Sequence, residues 1–109
     1  MEMDQETQAK IQELQSYEQN LQALLMQKQA FQMELSETEN ALKEITSSNE
    51  DVFKIVGNIM IKSDKNKIEE DLRKKKDLMD LRLKSIEKQE ADLAKQADEL
   101  KKEVMKKIK

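Results

Sequence analysis

The sequence has no cysteine, no histidine, no proline and no tryptophan, and only one glycine in 109 residues. Each absence narrows what the chain can be. Without cysteine there are no disulfides and no thiolate metal sites. Without histidine the commonest general base and the commonest metal ligand are both gone. There is no glycine-rich loop to cradle a phosphate. Aromatic residues make up only 3% of the chain, too few to anchor a compact globular core. No run approaches the 18 or so consecutive apolar residues of a membrane span. The opening MEMDQETQAK is acidic and has no apolar stretch of the signal-peptide kind. The expectation is an intracellular, cytoplasmic protein that is not an enzyme, needs no cofactor or metal, and does not enter membranes.

What the chain does have is charge and helix formers. Charged residues are 39% of it, and its net charge is −3. Such a composition, carried at helical periodicity, points to long helices or a coiled coil. The charge is unevenly shared. Residues 1–50 carry ten acids and three bases, a net of −7. Residues 51–109 carry thirteen acids and seventeen bases, a net of +4. Chance gives this asymmetry as readily as design; on the second reading the two halves attract each other and pack together.

The apolar residues repeat by sevens. In the first half, Leu14, Leu21, Lys28, Leu35 and Leu42 form one series, and Tyr17, Leu24, Phe31, Thr38 and Ile45 form the other. In the second half the series are Leu72, Met79, Ile86, Leu93, Leu100 and Lys76, Leu83, Glu90, Ala97, Val104. Alternating steps of three and four are the a and d positions of a heptad. Lys28, Thr38, Lys76 and Glu90 interrupt the apolar seam, as polar residues that fix register do. Helix 1 is expected over residues 5–46 and helix 2 over 66–108, each roughly 42 residues or about 63 Å long. Equal arms around a short insert predict a helical hairpin, with both ends of the chain at the far end, about 60 Å from the insert. Thr46–Asp51 (TSSNED) stops the first helix, because Ser, Asn and Asp side chains compete for backbone hydrogen bonds. Ser63-Asp64 offers an N-cap for the second.

The insert, residues 52–62 (VFKIVGNIMIK), is unlike its surroundings. It holds six β-branched or aromatic residues and the one glycine, Gly57. A two-residue turn at Gly57-Asn58 pairs Val56 with Ile59, Ile55 with Met60, Lys54 with Ile61 and Phe53 with Lys62. One face then carries Val56, Ile59 and Ile61, and the other Phe53, Ile55 and Met60. A lone two-stranded hairpin is marginal in water, and apolar strand edges invite pairing with another chain. Val52, Phe53, Ile55, Val56, Gly57, Ile59, Met60 and Ile61 are therefore the candidate assembly residues. A hairpin that merely caps its own coiled coil is the plainer reading.

Helix, a single hairpin carrying VFKIVGNIMIK, then a helix containing LRLKSIEKQE (residues 81–90): this order resembles prefoldin, and specifically the beta-type subunits of archaeal prefoldins, which have one hairpin where alpha-type subunits have two. The resemblance covers nearly the whole chain as one domain, residues 1–109. It implies a mainly α fold, a long antiparallel helical-hairpin coiled coil whose central β-hairpin joins a β-barrel in a hexamer of two alpha and four beta subunits. It also implies an ATP-independent chaperone that holds unfolded polypeptides at the coiled-coil tips and passes them to a group II chaperonin.

The residues supply a mechanism for capture. Met1, Met3, Ile11 and Leu14 lie near one end of the chain, and Leu100, Val104, Met105 and Ile108 near the other. If the seam frays there, its apolar side chains become available to unfolded segments, and flexible methionines suit varied partners. Leu14 and Leu100 read better as the last rungs of the coiled coil. The basic runs Arg73–Lys76 (RKKK) and KKEVMKKIK lack neighbouring aromatics to stack bases, so no nucleic-acid partner is expected. A coiled-coil scaffold that binds no client is the alternative function.

Overall fold

A computed structural model describes residues 4–108. The element order is α1 (Gln5–Ser47), β1 (Val52–Val56), β2 (Ile59–Ser63) and α2 (Lys65–Ile108). The residues gather into two compact units. The first combines the chain up to Gln29 with the chain from Lys84 onward, and the second is Ala30–Leu83. Each contains a stretch of both helices, and the second also contains the hairpin.

The helices are long because nothing in their interiors breaks them: neither holds a proline or a glycine. α1 starts at Asp4, whose carboxylate accepts the Thr7 backbone N–H at 2.7 Å, an N-cap that satisfies one of the orphan donors of the first turn. It ends in a cluster of hydroxyls that take over the backbone carbonyls. Thr46 donates to the Leu42 carbonyl at 2.7 Å and Ser47 to that of Lys43 at 3.0 Å. Beyond them the Lys65 ammonium donates to the Ser48 carbonyl at 2.6 Å, tying the chain after α1 to the start of α2. α2 is capped by Asp64 alone. Its carboxylate accepts the Asn66 N–H at 3.1 Å, while Ser63 belongs to β2.

In the first unit the seam is made by Leu14, Tyr17, Leu21 and Leu24 of α1 with Ile86, Leu93, Ala97, Leu100 and Val104 of α2, none of them exposed. Lys28 and Glu90, the polar a-position residues of the two helices, meet each other at 3.2 Å. In the second unit Phe31, Leu35, Leu42 and Ile45 pack with Leu72, Met79 and Leu83. Thr38, buried here, donates its hydroxyl to the Glu34 carbonyl at 2.8 Å, so it enters the seam without an unmet donor. Lys76 leaves the seam by extending to Asp80 at 3.3 Å. In both units the helices run antiparallel: Lys10 reaches Glu103 in the first, and Thr46 reaches Glu69 in the second. All twenty heptad positions named from the sequence are buried or half-buried.

The two strands pair antiparallel with Val56 opposite Ile59 and Val52 opposite Ser63. Gly57 has φ +62°, whereas no non-glycine residue among those described has positive φ. Asn58 therefore keeps the ordinary sign. A positive φ at the first central residue only is the mark of a II′ turn, which matches the right-handed twist of a hairpin. The sequence allowed positive φ at both positions; glycine alone uses it.

Candidate functional site

Two places hold the residues singled out by the sequence. The first is the hairpin. In a two-stranded sheet each strand has one unpaired edge, and the alternation of side chains gives each face its own set. Lys54, Val56, Ile59 and Ile61 share one face, and Phe53, Ile55, Met60 and Lys62 share the other. Six large apolar side chains of the hairpin stand 49–70% exposed, from Ile61 and Phe53 up to Ile55. At the base, Val52 and its partner Ser63 are half-buried. Lys62 is held beside Asp51 at 3.5 Å. Phe53 and Ile55 also form one wall of an open groove of about 640 Å³, whose other apolar lining comes from Ala41, Ile68 and Leu72. The groove was not legible beforehand, because Ala41 lies outside the heptad series and its role depends on where the hairpin folds.

Contiguous exposed apolar surface of this kind is unusual on soluble monomers in general. The hairpin's charges are too few to screen it. Each face has one lysine, and both edges keep free backbone donors and acceptors.

The second place is the end of the first unit, where α1 begins and α2 finishes. Met1 and Met3 lie outside the described residues. Leu100 and Val104 are buried in the seam at 9% and 6% exposure, and Ile11 and Leu14 are half-buried. Met105 and Ile108 face outward, 58% and 44% exposed. Around them the charges are arranged unequally. Lys10 sits between Glu6 at 3.4 Å and Glu103 at 3.2 Å. Glu103 first, and Glu6 after it, hold the Lys10 ammonium above its usual pKa against the opposing effect of burial. Hydrogen bonding from Thr7, whose backbone N–H donates at 2.7 Å, holds the Asp4 carboxyl below its usual range.

The basic run Arg73–Lys76, in the first third of α2, is fully engaged. Arg73 pairs with Glu69, Lys74 with Glu70, Lys75 with Glu34 and Lys76 with Asp80, all between 3.1 and 3.5 Å. Its charges are neutralised pair by pair. Arg82 lies over the Phe31 ring, 5.8 Å from its centre, and covers the aromatic edge of the seam. Leu25, Met26, Met33, Leu78 and Leu81 are exposed apolar residues that the sequence reading passed over. Their signal was present, since they are apolar residues at non-seam heptad positions. Among the described residues no group of three or more potential ligands could hold a metal ion, and no helix is long and apolar enough to cross a membrane.

Comparison with known proteins bears on both places. The family model for prefoldin subunits matches residues 8–109. The prefoldin subunit beta of Saccharolobus islandicus (strain L.S.2.15 / Lassen #1) is 35% identical over 97 residues, covering 87% of this chain and 77% of that one. The prefoldin subunit beta of Thermococcus gammatolerans is 38% identical over the same length, covering 87% of this chain and 83% of its own. In three dimensions the chain superposes on the crystal structure of the prefoldin beta subunit from Thermococcus strain KS-1 with a TM-score of 0.88. The two are 34% identical, and the match covers 96% of this chain and 94% of that one. The chain belongs to the prefoldin subunit family, within its beta class.

Proposed function

We propose that this chaperone subunit is an ATP-independent holdase, built into a hexamer of two alpha-type and four beta-type subunits, that captures unfolded polypeptides and passes them to a group II chaperonin in the cytoplasm. The observation that carries the reading is the hairpin. Val56, Ile59 and Ile61 on one face and Phe53, Ile55 and Met60 on the other are 49–70% exposed. No described residue of the chain buries them. Joining hairpins from several subunits into a closed barrel removes both the apolar faces and the free edges. Val52 and Gly57 complete this assembly segment, the one by its burial at the base and the other by forming the turn.

Assembly gives the second place its purpose. Met105 and Ile108 offer apolar surface that is weak as a single contact, but several such ends gathered on one client give avidity. Met1, Met3 and Ile11 extend the surface. Leu14, Leu100 and Val104 contribute when the seam frays. Client release needs no nucleotide, because each contact is weak enough to exchange.

Deletion of residues 1–10 and 101–109 tests the reading. The shortened protein should still assemble, as followed by native mass spectrometry with and without an alpha-type partner, yet should lose suppression of client aggregation. Undiminished suppression moves capture away from these ends. An intact assembly of the full chain that suppresses no aggregation makes it a scaffold instead.

A further inference from the structure

The g residues of the first unit, each just before an a position of the heptad, are of two kinds. The acids are engaged. Glu6 and Glu103 hold Lys10 at 3.4 and 3.2 Å, and Glu13 accepts the Tyr17 hydroxyl at 2.9 Å. The other four are carboxamides: Asn20 and Gln27 on α1, Gln89 and Gln96 on α2. All four are exposed, and none hydrogen-bonds to another described residue. In the second unit, by contrast, the g residues Glu34 and Lys75 bridge their two helices at 3.4 Å.

The four amides stand at two levels. The Lys28–Glu90 rung lies beside Gln27 and Gln89, and two turns along each antiparallel helix Asn20 comes level with Gln96. Together they line an open groove of about 700 Å³, with half-buried Leu24 and Leu93 between the levels and Asp92 as its one charged residue. Between Glu18 and Glu34, α1 carries a single charge, the seam residue Lys28, in a chain that is 39% charged. Gln96 also lines a smaller recess of about 190 Å³ with Tyr17 and Leu100, so the groove continues toward the end of this unit assigned to capture.

This lining selects among ligands. A phosphate or an acidic segment finds no cation in it, and a basic segment finds only Asp92. A purely apolar ligand would cover the amides and leave their donors and acceptors unpaired. A carboxamide offers an acceptor oxygen and N–H donors, the same chemistry as a peptide bond. The two levels are seven residues of helix apart, about 10.5 Å, and three residues of extended chain span about 10 Å. Backbone groups of an extended chain point alternately to its two sides, and each level has an amide on either wall. We propose that this groove binds the main chain of an extended, unfolded client. The four carboxamides recognise its peptide groups whatever its sequence, and Leu24 and Leu93 receive an apolar side chain. This rests on the client-capture reading and adds a second contact to it. Each hydrogen bond exchanged with water is a small gain, multiplied when several subunits hold one client.

The test uses the assembled protein and two fluorescent peptides with the same apolar side chains, one with ordinary peptide bonds and one N-methylated at alternate residues. The ordinary peptide should bind about threefold or more tightly, the weight of one net hydrogen bond, and the ratio should persist in about 1 M salt. Gln27→Leu with Gln89→Leu should erase the difference, whereas Gln27→Asn with Gln89→Asn, which keeps the amides, should retain most of it. Native mass spectrometry should show both variants assembled as before. A preference that survives the leucine variant places recognition elsewhere, such as a strand edge of the hairpin, and overturns the proposal. A changed subunit number in that variant also overturns it, by showing that another copy of the chain covers the groove. If the unaltered protein binds both peptides equally, main-chain recognition is overturned and capture stands. If it binds neither peptide, capture falls and main-chain recognition falls with it.

Discussion

Val104 and Val56 have the same side chain and opposite fates: one is 6% exposed in the helical seam, the other 51% exposed in the hairpin. The seam finds its partner within the chain. An apolar residue every three or four positions meets its counterpart on the returning helix, and each buried Leu or Ile side chain contributes about 1.5–3 kcal/mol. The hairpin has no such counterpart. Its two strands pair through backbone hydrogen bonds, which orders the side chains but leaves them in water. Burial therefore separates what stabilises one chain from what joins several. It also explains why the most apolar segment of the sequence is the least buried.

The comparison can be broken from the hairpin side with the largest effect. Ile55→Asp together with Ile59→Asp puts a charge on each face, and should abolish assembly in native mass spectrometry. Far-UV circular dichroism should still report two long helices. A loss of helix would mean that the seam depends on the assembly. Truncation compares the two regions directly. Leu83→Ala in the seam should cost about 2–5 kcal/mol in urea unfolding, whereas Ile59→Ala should cost under about 0.5 kcal/mol in the dilute, unassembled chain. Equal costs would show that the hairpin is covered within the monomer.

A smaller effect tests the polar rung of the seam. Lys28 and Glu90 are each about a quarter exposed and meet at 3.2 Å. Glu90→Leu alone strands the ammonium of Lys28 in the seam and should lower stability by about 2 kcal/mol. Adding Lys28→Met should restore most of that loss or exceed it, since a packed apolar pair replaces a partly desolvated ion pair. Thermal unfolding of the two variants decides it, and the doubly substituted protein should also show whether register slips. Gly57→Ala should cost about 1 kcal/mol, because an L side chain disfavours positive φ.

The seam was almost fully legible in the sequence. Heptad spacing is a local property that survives folding, so Leu14 through Ile45 and Leu72 through Val104 could be assigned to it before any coordinates were known. The hairpin register was legible for a similar reason: one glycine fixes the turn, and the turn fixes the pairs. Three features were not. Asp64 rather than Ser63 caps α2, because β2 extends to Ser63 and uses its backbone. The groove beside Phe53 and Ile55 depends on the angle at which the hairpin leaves the helices, which no periodicity encodes. The contrast between the ion-paired and amide-lined stretches of the first unit required knowing which carboxylates reach which lysines. For the acids and bases of a helix this rich in both, sequence spacing offers several partners to each.

Gly57 carries one more consequence. A Cβ built on it meets no atom within 4 Å, so space is not what reserves the position for glycine. Only handedness does. The turn has the geometry of a mirror-image residue, and ribosomal synthesis offers just one achiral way to approximate it. A chemically made chain with D-alanine at position 57 should fold into the same hairpin and hold it more firmly than the natural one, since a D residue favours positive φ and its methyl restrains the unfolded backbone.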